Sequence, residues 1–445
     1  MIIAGCSGKP IPSERNARDD LAVVASRFQI SELQPELPLL TADSRIEDYL
    51  TFAMLNSPKI RYAYYEWAAS IERITTARSR PDPKLMFRAD IASMVMSAVA
   101  GLMIDLPGPG KLRIAGDIAA AESQGRYYTF EMETLRVAYA VKNAYYRLQF
   151  LEDNIRVQRE TLRLLGEIET LARQQNAAGR VMLQDVLRAQ IEQEQVKTRI
   201  ENLEDSRSAL LAELKAALGL RADETDPPVP AKFTSSGESL DSEKILDIAL
   251  ASNPVIKKMA SDVRRAQGLI DLARKAGVPD FSVGVEANFI ASPMSWMPSA
   301  SLTLPIWRDK IAAQIAAGQA EKRAAEARLS DEQIQLAAEL AAMLYVFREN
   351  VRNAELLEER LIPKGRQSLD IARTGYANNK SGFLDVIESH RLLLSFDLSL
   401  IDARVQKELA LASISLLIVG ASPQGSPLPR SAELSGSAGQ KEVSQ

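Results

Sequence analysis

Cysteine and histidine are almost missing from this chain: one of each, Cys6 and His390, in 445 residues. A lone cysteine makes no intrachain disulfide. A hydrolase triad, a zinc site or histidine-based acid–base chemistry would need partners that the sequence does not supply. No Gly-rich phosphate loop and no run of clustered metal ligands occurs either, so an enzyme, a bound cofactor and a resident metal are not expected. Aromatic residues make up only 6%, and the apolar content leans on Ala, Leu, Val and Ile, a bias suited to long helices. Charge of one sign is also lacking. The 54 basic and 58 acidic residues interleave to a net −4, which describes solvated helix surfaces and leaves no basic patch for nucleic acid. Long hydrophobic runs are absent too. The longest, Met94 to Ile104, is broken by Ser97 and Gly101, whereas a spanning helix needs roughly 20 apolar residues. A chain of this kind that crosses a membrane must cross it as a barrel.

What is present is a plan used twice. Leu50 to Ile60 aligns with Leu246 to Ile256, and Ile74, Ala77, Arg78 and Pro83 align with Ile270, Ala273, Arg274 and Pro279. Leu106-Pro107 matches Leu304-Pro305, Ala172-Arg173 matches Ala372-Arg373, and Asp185-Val186 matches Asp385-Val386. The expected domains are a start and extended segment over 1–42, a first repeat over 43–220, a linker over 221–240, a second repeat over 241–420, and a disordered Ser/Gly/Pro-rich tail over 421–445. The linker is marked by Pro227, Pro228 and Pro230.

Each repeat opens with a helix, near 43–79 and 241–276, that stops before prolines or glycine. A strand pair follows. Phe281 to Phe289 is apolar at odd positions and carries Ser282, Gly284, Glu286 and Asn288 between them. Ser299 to Leu304 alternates in the same way. In the first repeat Leu85, Phe87, Ala89 and Ile91 oppose Met86, Arg88 and Asp90, and the return sets Ala100, Leu102, Ile104 and Leu106 against Gly101, Met103 and Asp105. Period-two alternation gives a strand one greasy and one wet face.

Proline closes each strand pair and a proline-free helical stretch begins. A three-four spacing from Val141 picks out Ala144, Leu148, Leu151, Ile155, Gln158, Leu162, Leu165, Glu169 and Ala172, a coiled-coil seam. Val196, Ile200, Leu203, Arg207, Leu210, Leu214 and Ala217 continue it on the return. The outbound helix, about Lys111 to Asn176, would be on the order of 100 Å long. Short polar turns at 176–181 and 378–382 make two long antiparallel hairpins. The fold class is therefore mainly α with a small β part, in two tandem strand-strand-helix-helix repeats. Four strands cannot close a barrel and hydrocarbon tolerates no open edge. Three chains would give twelve strands, a β-barrel standing on a long α-helical coiled-coil barrel.

The doubled unit, the Leu-Pro junctions and Tyr376-Ala-Asn-Asn-Lys-Ser-Gly-Phe-Leu-Asp-Val-Ile-Glu388 together resemble the outer-membrane efflux (TolC-like) family over residues 43 to 420. Pro107-Gly-Pro-Gly-Lys-Leu112 is similar to a junction found in its lipoprotein branch accompanying heavy-metal exporters. The resemblance implies a homotrimeric outer-membrane channel with its helices in the periplasm. It would serve as a passive duct for small molecules or metal ions, fed by a periplasmic membrane-fusion adaptor and an inner-membrane RND-type pump. The alternative is a periplasmic coiled-coil adaptor or scaffold without a barrel.

By the same resemblance the periplasmic entrance falls on Tyr376, Asp385 and Glu388, with Asp185 as the first-repeat counterpart. Asp385 and Glu388 share a helix face, and three copies would ring a narrow mouth with carboxylates that favour cations. A pair of ordinary solvated acids is the plainer reading. Asn379 stands where the family has glycine, and Ser381 where some members carry a basic latch. Gly179, Asn379 and Gly382 are the tip-turn residues, where reversal needs a permissive backbone. Ile3-Ala-Gly-Cys6 reads as a lipobox, with Cys6 the acylated anchor on outer-membrane lipid; a chance short match leaves an ordinary thiol. Met86, Met94, Met96, Met103, Met294 and Met297 gather in the strand segments, where thioethers either bind soft ions or fill gaps. Trp296 and Trp307 would sit in interfacial belts or in ordinary packing.

Overall fold

The structure is a computed structural model describing residues 10–30, 36–91, 95–230, 242–291, 293–378 and 380–418. Cys6 and the 421–445 tail lie outside the described residues, as do Asn379, Met94 and residues 231–240 of the linker.

The first repeat holds helices α2 (Ile46–Asn56) and α3 (Pro58–Arg78), strands β1 (Lys84–Ile91) and β2 (Val95–Leu106), and helices α4 (Lys111–Ala177) and α5 (Leu183–Ala217). The second repeats the order with α6 (Ser242–Ser252), α7 (Pro254–Lys275), β3 (Phe281–Asn288), β4 (Ser295–Leu302), α8 (Arg308–Leu356), α9 (Ile362–Ala377) and α10 (Phe383–Leu417). Before them stands α1 (Pro12–Arg27).

Helix α1 corrects the expectation of an extended segment over 1–42. Its anchor is Glu14, buried against α3, where the carboxylate meets Arg78 Nε at 2.5 Å and accepts a bond from Thr75 Oγ1 at 2.6 Å. The opening helix of each repeat is also divided. Pro58 and Pro254 lack an amide hydrogen and force the preceding residue out of helical geometry, so α2 ends at Asn56 and α6 at Ser252. The asparagine beside each break then caps a helix distant in sequence. Asn56 Nδ2 donates to the Leu218 carbonyl at 3.1 Å, and Asn253 Nδ2 to the Leu417 carbonyl at 3.1 Å. Both satisfy C-terminal carbonyls that a helix leaves without partners.

Two compact units cut across the repeats. One comprises Met1–Arg27, Arg61–Met132 and Pro254–Ile334, and the other Phe28–Ile60, Glu133–Asn253 and Gln335–Gln445. The first contains a core of Trp67, Tyr127 and Phe130, with the Trp67–Tyr127 ring centroids 4.9 Å apart. It also contains the sheet.

The sheet is antiparallel in the order β1-β2-β3-β4. Its register lines up Leu85, Leu102, Val285 and Pro298, then Phe87, Ala100, Ala287 and Trp296, so one face is apolar from edge to edge. The opposite face carries the rows Lys84, Met103, Gly284, Ser299 and Met86, Gly101, Glu286, Met297. On that face Lys84 pairs with Asp105 at 2.7 Å and Arg88 approaches Glu286 at 3.8 Å. Leu85, Phe87, Leu102, Val285 and Trp296 are exposed, because among the described residues no element covers the apolar face. Gly101 and Gly284 lie diagonally on the polar face, where an added Cβ would come within 2.6 Å of the Glu286 side chain and 2.9 Å of the Leu102 carbonyl. Glycine there lets the central strands approach and curl. Strand β4 begins at Ser295 and ends at Leu302, earlier at both ends than its alternation suggests, since Thr303 and Leu304 have left the ladder.

A clasp fixes the strand-to-helix junction. Asp280 Oδ1 accepts from the Gly108 amide at 2.6 Å and from Lys111 Nζ at 2.7 Å. A Cβ at Gly108 would lie 2.6 Å from the Pro279 carbonyl, so this approach needs glycine.

The seam holds in the second unit. Val141, Ala144, Leu148, Leu151, Ile155, Leu165 and Ala172 of α4 are buried, as are Val196, Ile200 and Leu214 of α5. Between α8 and α9 the helix widens into a π turn, Leu357–Leu361, ahead of Pro363, whose ring cannot accept the normal ladder. Among the described residues no helix is long and apolar enough to cross a membrane.

Candidate functional site at the hairpin tips

The second unit brings the ends of α4, α5, α9 and α10 together around one apolar core. Leu165, Ile168, Ala172, Val186 and Ala189 of the first hairpin pack with Ile362, Leu369, Ala372, Tyr376, Phe383, Val386 and Ile387 of the second.

The first reversal is set by Gly179, whose φ of +72° is left-handed. Its amide donates to the Asn176 carbonyl at 2.8 Å, and the Arg180 amide reaches back to the Gln175 carbonyl at 2.9 Å. This is the 6→1 closure that follows a left-handed helix end. The second reversal repeats that closure, with the Lys380 amide reaching back to the Gly375 carbonyl at 2.7 Å. Gly382 has φ −77°, open to any residue, and acts as the N-cap of α10. Ser381 Oγ donates to the Ala372 carbonyl at 2.9 Å and closes the turn from inside.

The three acids and the tyrosine occupy distinct environments. Tyr376 is buried edge-to-face against Phe383, centroids 5.7 Å apart, with its hydroxyl lacking a hydrogen-bond partner among the described residues. Burial, reinforced by the Asp185 charge from the other hairpin, pushes its phenol up to about 12. Asp385 Oδ2 accepts from the Gly382 amide at 2.8 Å and so caps α10. Glu388 is exposed one turn further on. Tyr376 and Asp185 are thus close enough to feel each other, while Asp385 and Glu388 stand on the outside of α10.

The polar groups that tie the hairpins together were not singled out by the sequence. Arg373 of α9 meets Glu167 of α4 at 2.8 Å, and Arg391 of α10 pairs with Glu192 of α5. Gln175 Nε2 donates to the Ala377 carbonyl at 3.2 Å. Glu169, an acid sitting in the seam, accepts from Gln193 at 2.7 Å, Gln190 at 2.8 Å and Arg173 at 2.7 Å. Those bonds, Gln193 foremost, hold its carboxyl below the usual range. A carboxylate at a seam position was the available signal. His390 is buried beside these pairs. Burial lowers its pKa, with the Arg373 and Arg391 charges assisting and Glu192 opposing, so it is neutral at pH 7.

Among the described residues no three His, Cys, Asp or Glu side chains gather as a metal cage. Register puts Met86, Met103 and Met297 on the polar sheet face, and Met294 precedes β4. Trp296 lies exposed on the apolar face and Trp307, also exposed, stands just before α8.

The sequence model of a family described as outer membrane efflux protein matches residues 51–220 and 245–419. Those two spans are the two repeats. The structure is similar to that of CusC, a protein described by its folding and transmembrane channel formation (TM-score 0.76, 15% identity, 88% of this chain and 95% of that one). It is also similar to the Campylobacter jejuni CmeC outer membrane channel (TM-score 0.73, 14% identity, 93% and 94%). The open-state Neisseria gonorrhoeae MtrE outer membrane channel is a third (TM-score 0.72, 17% identity, 90% and 98%). No curated protein matches the sequence.

Proposed function

Because the chain belongs to the outer membrane efflux protein family, we propose that it is the outer-membrane duct of a tripartite efflux system, built from three copies. The protein is an outer-membrane channel of mainly helical fold, with its helical part in the periplasm. One observation carries the rest of the reading: a four-stranded sheet with one wholly apolar, largely exposed face and, among the described residues, an unpaired edge on each of β1 and β4. In water such a face would collect a helix, and in hydrocarbon such edges must be paired. Pairing β4 of one copy with β1 of the next removes every edge after three copies and turns the polar rows inward. Conduction through that lumen is passive. The energy and most of the specificity come from an inner-membrane RND-type pump joined through a periplasmic membrane-fusion adaptor, and the cargo is small molecules or metal ions. Purified protein in detergent is expected to run as a heat-resistant trimer and to conduct in planar bilayers. A monomer that stays soluble and never conducts would replace this reading with a periplasmic coiled-coil scaffold.

The entrance is assigned to the tip, with Asp385, Glu388 and Asp185 as its carboxylates and Tyr376 as the buried residue behind them. Threefold repetition concentrates negative potential at a narrow mouth. Replacing both Asp385 and Glu388 by Ala should weaken block of the conductance by multivalent cations. Block at the wild-type concentration in that double variant would remove the carboxylate ring.

A further inference from the structure

Across the offset of 200 residues that relates Ala172 to Ala372 and Asp185 to Asp385, a polar cluster is kept in the first hairpin and half erased in the second. In the first, Glu169 of α4 accepts from Gln190 and Gln193 of α5 and from Arg173. The equivalent positions of the second hold Leu369, His390, Leu393 and Arg373. The acid has become a leucine. His390, the one histidine of the chain, therefore stands where the first hairpin has a glutamine bonded to a carboxylate, with no acid at the matching place. It also lies deeper, 4% exposed where Gln190 is part-buried.

Its surroundings resist a proton. On α10 His390 follows Phe383, Val386 and Ile387 and precedes Leu393, all members of the apolar core that the two hairpins share. Three charges act on it at the edge of that core: Arg373 of α9, Arg391 of its own helix and Glu192 of α5. The two arginines are those that cross to the first hairpin, Arg373 to Glu167 and Arg391 to Glu192. On its other side the imidazole lines a cavity of about 910 Å³. From α4 that cavity takes Glu152, Asp153, Arg156, Arg159, Glu160 and Arg163, each engaged in an ion pair. Arg366 of α9 and Asp397 of α10 add one charge of either sign. A proton can reach the ring from the cavity, but the charge it brings is buried and meets two arginines against one glutamate.

We infer that His390 is a proton-sensitive switch on the contact between the two hairpins of one chain: uncharged it packs as a core side chain, and charged it loosens the second hairpin from the first. Burial first, and then the two arginine charges, lower the hold of the ring on a proton, with Glu192 opposing. A basic group whose pKa is lowered by folding supports the folded contact while it is uncharged. That support is whole above the ordinary value of 6.5 and is lost as pH falls below it. Water entering between the hairpins hydrates the imidazolium and screens the arginines, so the charged ring favours the looser contact. The shared apolar core stays in place, and the hairpins loosen without parting. The inference rests on the tip as the entrance and supplies its regulation: acid on the periplasmic side eases opening.

Amide exchange of the full-length protein in detergent reads the contact directly. From about pH 7.5 to about pH 5.5, exchange over 369–376 and 383–393, corrected for the chemical rate, should rise in wild type by about threefold to tenfold. Tenfold is the ceiling for one proton at one unit below the ordinary 6.5. His390→Gln, which installs the residue of the first hairpin, should exchange alike at both pH values. A flat wild type overturns the proposal. An acid response that survives in His390→Gln also overturns it and assigns the proton to Asp397. Should His390→Gln lose its helical circular dichroism, His390→Leu takes its place with the same expected result. Conductance in planar bilayers separates the switch from the entrance reading. The wild-type channel should open more often at the lower pH and the variant should not. Exchange that rises with acid while conductance stays constant upholds the switch and overturns the assignment of the entrance to the tip.

Discussion

Val285→Arg is expected to remove the membrane-inserted trimer while the helical hairpins stay folded. Val285 lies within β3, in the row Leu85, Leu102, Val285, Pro298 of the apolar face, and it is exposed because none of the described residues covers it. An arginine facing lipid near the bilayer midplane costs about 2–4 kcal/mol in a β-barrel. Three copies carry the change, so the assembly loses about 6–12 kcal/mol if the sites act independently. That is comparable with the whole stability of a typical folded domain. Ser301→Arg is the matched control, since Ser301 pairs with Ser282 on the polar face. The expected result is heat-resistant trimer in the membrane fraction for Ser301→Arg and none for Val285→Arg, with both retaining helical circular dichroism. Equal insertion of the two would mean that the sheet faces have been assigned the wrong way round.

A second large effect is expected from Glu14→Ala. Glu14 is the buried acid that holds α1 on α3, and Arg78 beside it is also largely withdrawn from water. Removing the carboxylate takes away the charge that meets the Arg78 guanidinium at 2.5 Å, and breaking a buried pair of this kind costs about 3–5 kcal/mol. Amides of α1 should then exchange with solvent far faster, and protease should cut within 12–27. The same pair carries a pH dependence. Burial pushes the Glu14 carboxyl up, but hydrogen bonds from Arg78 and Thr75 and the charges of Arg78 and Arg18 outweigh it, and the group ends below its ordinary 4.5. A carboxyl lowered on folding stabilises fully above its unfolded value and loses that contribution as pH falls through the folded one. Protection of α1 is therefore expected to be constant above pH 4.5 and to decline below it. Protection that is unchanged by Glu14→Ala would assign the anchoring of α1 to apolar packing alone.

Much of the architecture was readable because it is written in short-range periodicity. Alternation at Phe281 to Asn288 and at Leu85 to Ile91 gave strand faces that the register reproduces. The three-four spacing from Val141 to Ala172 marked the residues that are buried. The start of α4 at Lys111 followed from the Pro-Gly-Pro-Gly stop before it. Where one proline interrupts an otherwise helical stretch the reading was coarser, and Pro58, Pro254 and Pro363 each divide or widen what periodicity alone joins.

At the tip the residue types were legible and their surroundings were not. Tyr376, Asp385 and Glu388 stand out in one short motif, and the cap that Asp385 forms on Gly382 is local to it, but only the packing of the second hairpin on the first buries the tyrosine. The partners of Arg391 and Arg373 lie about 200 residues away, at Glu192 and Glu167. No local pattern announces them, because any of many exposed acids could have served.

The sequence by itself determined the doubled plan, the long outbound helix of the first repeat, the two-faced strands and the family, since each depends on neighbours along the chain or on a period repeated within it. Tertiary structure alone decided that residues 12–27 coil into a helix around a buried Glu14, and that Asn56 and Asn253 close helices more than 160 residues away. It alone decided which copy of a repeated position is covered. A side chain's burial depends on what arrives from elsewhere in the fold, and two identical periodicities can meet different neighbours.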